Sequence, residues 1–174
     1  VRYGNPVEIF KELINEYAVQ KVFANHDYEP YAKERDAEVE ILLREKSISF
    51  HSYKDQVIFE KDEVFKDDGK PYTIFTPYSK KWKIKLTDFF LECYNNKKYF
   101  KNFYKQAERE IISLEVMGFK SSGQSFPDKE WKGQVIRHYK DHRDIPSVEG
   151  TSRLSVHLRF GTISIRSLAA EAGA

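Results

Sequence analysis

The stretch KVFANHDYEP, at residues 21–30, decides the fold of this chain. Its first four residues place Val, Phe and Ala in succession, which predicts a short buried strand. The polar residues 25–29 predict a loop at the carboxyl end of that strand. Pro30 has a backbone conformation suited to the first turn of a helix, so we expect a helix from Pro30 to about Lys46.

The segments on both sides of this stretch continue the alternation of helices and strands. Residues 5–17 carry apolar side chains at helical spacing behind Asn5 as a cap and Pro6 at the first helical position. Residues 48–53 read as a second strand. Helix, strand, helix and strand in this order predict an α/β fold with a parallel sheet and crossover helices. Ligands of such folds bind beyond the carboxyl ends of the strands, so the loop at 25–31 is a candidate contact surface, and a solvated loop is the alternative.

The middle of the chain carries weaker patterns. Residues 57–78 hold short β-prone pieces around a turn at Asp67–Lys70, and Pro77 predicts a helix packed by Tyr78 and Trp82. Between residues 80 and 105 lysines alternate with aromatic side chains, a pattern shared by single-strand binding surfaces and by amphipathic helices. Gly, Ser and Pro gather at 120–127, which predicts a connector, and Asp128 then predicts the start of another helix.

Composition and charge set the class of the protein. The chain has 174 residues, 40% of them hydrophobic and 15% aromatic, which is a globular composition. A net charge of +2 does not by itself predict a nucleic-acid partner. The single cysteine is expected to be a small buried residue and fits a reducing compartment. We expect a cytoplasmic protein without a membrane partner, because no run of about 18 apolar residues occurs.

A cluster of hydroxyl side chains near the C-terminal end is the strongest local signal. Thr151, Ser152 and Ser155 crowd the start of the apolar run that contains Leu154. The first amides of a helix lack intrahelical partners, so such a start attracts anions such as phosphate, although Ser and Thr also cap helices without any ligand. His138 and His142 share helical spacing, but we expect no metal there because a third ligand is lacking.

The wider segment at 139–164 resembles the flavin-binding segment of the DNA photolyase/cryptochrome family. The resemblance rests on Tyr139, on Arg143 four residues later, on the block Thr151-Ser152-Arg153-Leu154-Ser155, and on residues 157–164 after it. It implies that Tyr139 and the five residues of the block bind FAD and that Arg143 contacts DNA. No residue is expected to act as a general acid or base, since the flavin carries the chemistry.

The resemblance extends to the beginning of the chain. The stretch at 25–31 with Arg35 and Asp36 is similar to the antenna domain of deazaflavin-binding members, which implies that Asp27 and Glu29 contact an antenna pigment of the deazaflavin type rather than a folate. The implied domains are an incomplete Rossmann-like antenna domain at 1–94, a linker at 95–127, and the first helices of an all-α FAD-binding domain at 128–174. The chain opens on Val1 and stops within a helical pattern, so we expect a piece of a longer protein that lacks the opening strand and most of the flavin domain.

The function that the resemblance implies is light-driven repair of cyclobutane pyrimidine dimers in DNA. The residue sequence of the block is similar to that of dimer-repairing members, so we expect dimer-containing DNA as partner. We also expect the parent protein to be monomeric. Two alternatives stay open. One is a cryptochrome-type blue-light receptor with the same flavin pocket, and the other, from the residues alone, is a nucleotide-binding α/β domain without a repair role.

Overall fold

A computed structural model describes residues 1–173 as two compact units. The first unit combines Val1–Asp55 with Lys101–Ser122, and the second combines Gln56–Phe100 with the chain from Gly123 onward. The chain therefore leaves the first unit and later returns to it. Within the described residues no helix is both long enough and apolar enough to cross a bilayer.

The first unit is built on the predicted helix–strand alternation. Its elements are α1 (Pro6–Glu16), β1 (Lys21–Asn25), α2 (Pro30–Glu45) and β2 (Ser49–Tyr53). The two strands pair in parallel, from Lys21 opposite Ser49 to Asn25 opposite Tyr53. The predicted α/β class with a parallel sheet is confirmed, and so are the helix starts at Pro6 and Pro30.

Local chemistry explains why α1 begins where it does. The Asn5 side-chain oxygen accepts hydrogen bonds from the amides of Val7, at 2.9 Å, and Glu8, at 3.3 Å. These are two of the donors that the first turn of a helix leaves unpaired. The buried core of this unit consists of Val39, Leu43 and Ile48. Partly buried apolar residues of α1 and both strands pack against it.

The prediction of a buried first strand is wrong. Phe23 is 64% exposed. Its ring lies 5.2 Å from that of His51 and 6.4 Å from that of Tyr53, nearly parallel to both. Strand residues alternate between two faces, so Val22 and Phe50 pack on the core while the neighbouring rings lie on the other face. The apolar run therefore belongs to a strand with one buried face.

The returning segment 101–122 is held to α1 by polar contacts within the first unit. Glu16 pairs with Arg2 and, at 2.6 Å, with Arg109. The hydrogen bond from Arg109 holds the pKa of the Glu16 carboxyl below its ordinary value of 4.5. The ring of Tyr17 packs edge-on against Tyr104, with 5.5 Å between centroids. This segment is thus tied to the end of α1 by charge and by ring packing.

The regular secondary structure described in the second unit is helical. Its helices are α3 (Phe75–Lys85), α4 (Asp88–Leu91), α5 (Gly133–Arg137), α6 (Tyr139–His142), α7 (Ser155–Arg159) and α8 (Ile165–Gly173), and a 3-10 helix at Lys97–Asn102 lies where the chain passes between units. Cys93, expected to be buried, is exposed and lies 3.2 Å from the hydroxyl of Ser167.

Two local predictions in this unit are wrong. Residues 57–78 form turns and the start of α3, and the structure describes no strand among them. The turn near Gly69 is present, and it is closed by hydrogen bonds from the Lys66 amide to the Lys70 carbonyl and from the Gly69 amide to the Lys66 carbonyl. Asp128 does not start a helix, because its carboxylate accepts the amide of Glu130 at 3.0 Å and folds the chain into a local turn. The helix begins five residues later, at Gly133.

Candidate functional site

Gly150 places the hydroxyl block against α6. The residue is buried, and a Cβ atom added to it would lie 2.6 Å from the Cβ and 2.7 Å from the carbonyl carbon of His142. Carbon atoms pack at about 3.5–4.0 Å, so no larger residue fits without moving α6. The absence of a side chain at 150 therefore brings Thr151 next to the helix that carries Tyr139.

A cavity of about 320 Å³ lies beside the start of the block. One wall is formed by the segment from Pro127 to Val135, including Trp131 and Lys132. The other wall is formed by Glu149 and by the predicted residues Thr151, Ser152 and Arg153. Three of the six predicted flavin-binding residues thus line one cavity.

The block offers several hydrogen-bond donors at this cavity. Within residues 1–173, no acceptor is found for the backbone amides of residues 151–155. Arg153 has a left-handed backbone, with φ of +54°, and Leu154 follows it in the right-handed region. Turns of this kind point successive amides to one side, an arrangement that binds anions. The hydroxyls of Thr151 and Ser152 add to these donors, so the block fits the phosphate groups of a flavin dinucleotide.

The charges around the cavity are mixed. The residues that line it include three with carboxylates, Asp128, Glu130 and Glu149, and two cations, Lys132 and Arg153. The Arg153 guanidinium donates to Glu149 at 3.0 Å, and both side chains are largely exposed. Such an exposed ion pair contributes at most about 1 kcal/mol, so an incoming phosphate competes with Glu149 for Arg153. Binding of an anion here depends on local amides more than on net charge.

The other predicted residues of the block and of α6 lie outside the cavity lining. The side chain of Leu154 is 3% exposed and packs in the interior, so its backbone alone is available to a ligand. Ser155 opens α7, a helix of five residues, which is too short to develop much of a dipole. Tyr139 is 43% exposed, and the Arg143 guanidinium lies over its ring, 5.5 Å from the centroid.

Arg143 and the neighbouring histidines lie on an accessible surface. The Arg143 side chain is half exposed and lies 3.4 Å from a carboxylate oxygen of Asp144. The rings of His138 and His142 stack with 5.5 Å between centroids. Among the described residues no group of three or more His, Cys, Asp and Glu side chains is placed to share a metal ion.

The candidate antenna residues lie in the first unit, at the carboxyl end of β1. Asp27 accepts hydrogen bonds from the amides of Tyr28, at 2.7 Å, and Glu29, at 3.3 Å, and so shapes the loop that precedes α2. Glu29 is exposed and occupies the cap position of α2 without a side-chain hydrogen bond to the helix. The two carboxylates therefore differ, since Asp27 is engaged by the loop and Glu29 faces solvent.

Sequence reasoning missed three residues that shape the cavity. The helix predicted to start at Asp128 would include Trp131 and Lys132, but both residues precede α5 and line the wall that faces the block. The third residue, Gly150, has no side chain and so gives no chemical signal in the sequence. Its position directly before Thr151 and Ser152 is the one signal that could have marked it, because a Gly beside a ligand-binding turn often reflects a close backbone approach.

The sequence of this chain is similar to those of known proteins. A sequence model described as DNA photolyase matches residues 1–111. The "Deoxyribodipyrimidine photo-lyase" of Halobacterium salinarum is 28% identical over 97% of this chain and 37% of its own length. "Cryptochrome-2" of Arabidopsis thaliana is 29% identical over 95% of this chain and 30% of its own length. The chain thus spans about a third of the length of these curated relatives.

Solved structures show the same fold. A bacterial class III photolyase from Agrobacterium tumefaciens aligns with a TM-score of 0.68 at 20% identity, over 95% of this chain and 37% of that protein. An archaeal photolyase from Sulfolobus tokodaii, described with two FAD molecules, aligns with a TM-score of 0.57 at 21% identity, over 98% of this chain and 37% of that one. At these identities the likeness concerns the fold.

Proposed function

This chain belongs to the DNA photolyase family, and from that premise we propose that its full-length protein repairs cyclobutane pyrimidine dimers in DNA with light and reduced FAD. The observation that carries the proposal is the turn at residues 151–155: its backbone amides have no acceptor among residues 1–173, and Thr151, Ser152 and Arg153 line a cavity in a member of a family that uses FAD. Residues in the same turn could serve any phosphate, and the family relationship favours the flavin.

The block and its surroundings would hold the phosphates of FAD. The amides of residues 151–155 and the hydroxyls of Thr151, Ser152 and Ser155 donate hydrogen bonds, and Arg153 exchanges Glu149 for a phosphate oxygen. The buried side chain of Leu154 holds the turn in place, and its backbone stays available to the ligand. Tyr139, brought near by the contact of Gly150 with α6, contributes an aromatic contact beside the block.

Reduced FAD held at residues 151–155 would supply the light-driven electron transfer that splitting the dimer requires. The residues of this chain bind and orient the cofactor, and we assign none of them a proton transfer. The rest of the full-length protein would complete the pocket and receive the lesion. A damaged base pair leaves the helix more readily than an intact one, because its stacking and pairing are already weakened.

Arg143 is the residue we propose as a DNA contact. Its guanidinium is half exposed and its ion pair with Asp144 is long, so little energy holds it in place. The planar guanidinium matches phosphate oxygens in pairs. Its position over the Tyr139 ring would link DNA binding to the flavin side of the unit.

Further parts of the proposal concern the antenna and the organisation of the protein. We propose that a deazaflavin-type pigment contacts Glu29 and the loop shaped by Asp27, which lie where ligands of parallel sheets bind. We also propose an antenna domain at 1–94, a linker at 95–127 and a flavin domain from 128 onward in a monomeric cytoplasmic protein. A flavin-based blue-light receptor is the second candidate, favoured by the similarity to Cryptochrome-2.

The test uses the full-length protein with its flavin reduced. A short DNA with one cyclobutane dimer is incubated under blue light and in the dark, and intact dimers are counted by chromatography. Loss of dimers under light alone supports repair. FAD binding with dimers untouched in both samples refutes repair and supports the receptor, and failure to bind FAD refutes both.

A further inference from the structure

His157 joins the two walls of the cavity. The side chain is partly buried on α7, two residues after the end of the block, and its two ring nitrogens each lie at hydrogen-bond distance from another residue. Nε2 lies 2.7 Å from the carbonyl oxygen of Pro127, which belongs to the opposite wall. Nδ1 lies 2.8 Å from the hydroxyl oxygen of Thr162.

The chemistry of these partners fixes the proton on one nitrogen. A backbone carbonyl accepts and never donates, so Nε2 of His157 must carry a hydrogen to bond to Pro127. The Thr162 hydroxyl can donate to Nδ1 of a neutral ring or accept from Nδ1 of a charged one. The bond between α7 and Pro127 therefore persists in both protonation states of His157.

The wall that begins at Pro127 is held at a second point. The indole Nε1 of Trp131 donates to a carboxylate oxygen of Glu171 on α8, at 3.2 Å. Between these two bonds the segment 127–131 turns through the hydrogen bond of Asp128 to Glu130 and presents Trp131 and Lys132 to the cavity. His157 thus holds one end of the part of this wall at residues 127–132, which precedes α5 and has no regular secondary structure.

We propose that His157 is a positioning residue that sets the separation between the Pro127–Lys132 wall and the Thr151–Arg153 turn, and so the affinity of the cavity for the flavin phosphates. The inference rests on the proposed function. His157 acts through the Pro127 carbonyl rather than by touching the cofactor.

Two substitutions separate hydrogen bonding from shape. His157→Phe keeps a planar ring and removes both bonds, whereas His157→Gln can donate to Pro127 and accept from Thr162. Loss of hydrogen bonds that together contribute about 1.4 kcal/mol corresponds to about tenfold in affinity. We expect His157→Phe to bind FAD about tenfold more weakly than the wild type in the full-length protein, and His157→Gln to recover most of that loss. His138→Phe, the same change at an exposed histidine outside the cavity lining, serves as the control.

A direct measurement on the wild type tests the bond itself. Nitrogen NMR of the histidine ring is expected to show Nε2 protonated across the neutral range. An unprotonated Nε2 overturns the proposal, and so does equal FAD affinity of the His157→Phe variant and the wild type, or of the two His157 variants. If the wild type binds no FAD, the proposed function fails and the ring measurement still decides whether His157 bonds to Pro127.

Discussion

Replacing Gly150 by Ala tests how the block is positioned. The added Cβ would meet three atoms of His142, its Cβ at 2.6 Å, its carbonyl carbon at 2.7 Å and its carbonyl oxygen at 2.8 Å. Two of these atoms belong to the backbone of α6, so a side-chain rotation cannot relieve the contact. To restore ordinary packing distances, α6 and the turn before Thr151 must separate by about 1 Å.

The expected cost follows from two opposing effects. Forced separation of packed elements costs about 1–3 kcal/mol. Alanine also restricts the unfolded chain, which returns about 0.4–1 kcal/mol where the backbone conformation permits it. Gly150 does not have a left-handed backbone, so this gain applies. We expect Gly150→Ala to lower the free energy of unfolding by about 1–2 kcal/mol.

Urea denaturation followed by circular dichroism measures this change, and Gly133→Ala is the matched control. Gly133 opens α5 in the same unit, and a Cβ there would meet no atom within 4 Å. Alanine is favoured over glycine in helices by up to about 1 kcal/mol, so the control is expected to be neutral or stabilised. We also expect weaker FAD binding by Gly150→Ala in the full-length protein. If Gly150→Ala is as stable as Gly133→Ala, the contact with His142 does not constrain the block.

Three further changes probe charge and capping. Glu149→Gln is expected to strengthen FAD binding a few-fold at low salt and much less at about 0.5 M salt, because it removes a carboxylate beside the turn; equal gains in both titrations would count against this. Arg109 lowers the pKa of Glu16, so the ionised Glu16 stabilises the fold above its ordinary pKa of 4.5 and loses this effect as the pH falls through the lower native value. The difference in unfolding free energy between the wild type and Glu16→Gln should therefore shrink on acidification, and a difference independent of pH would contradict the pairing. Asn5→Ala is expected to cost about 1 kcal/mol and Asn5→Ser little, as thermal denaturation would show; equal losses would remove the capping argument.

The parts of the fold that depend on local signals could be predicted from the sequence. Asn5 with Pro6, and Pro30 after a polar loop, define helix starts through contacts within a few residues. The parallel pairing of the strands follows from the helix between them. The exposure of Phe23 could not be predicted, because an apolar run does not tell whether one or both faces of a strand are covered.

In the candidate site, too, local signals could be predicted from the sequence and contacts between distant residues could not. The hydroxyl block was recognisable because its residues are adjacent, and three of them line the cavity. The contacts that position it join residues distant in sequence, Gly150 with His142 and His157 with Pro127, and no periodic pattern marks them. Asp128 misled the sequence reading because a residue that caps helices can equally close a turn on the amide of Glu130.

The claim on which the remainder depends is that the turn at 151–155 holds the phosphates of FAD. The most direct measurement compares the FAD dissociation constant of the full-length wild type with that of a Thr151→Val, Ser152→Ala double variant. Ser147→Ala, an exposed serine outside the cavity lining, is the control. We predict about tenfold weaker binding by the double variant, from the loss of hydrogen bonds to charged groups, and no change in the control. Equal affinity of all three proteins would contradict the assignment of the cavity to the flavin.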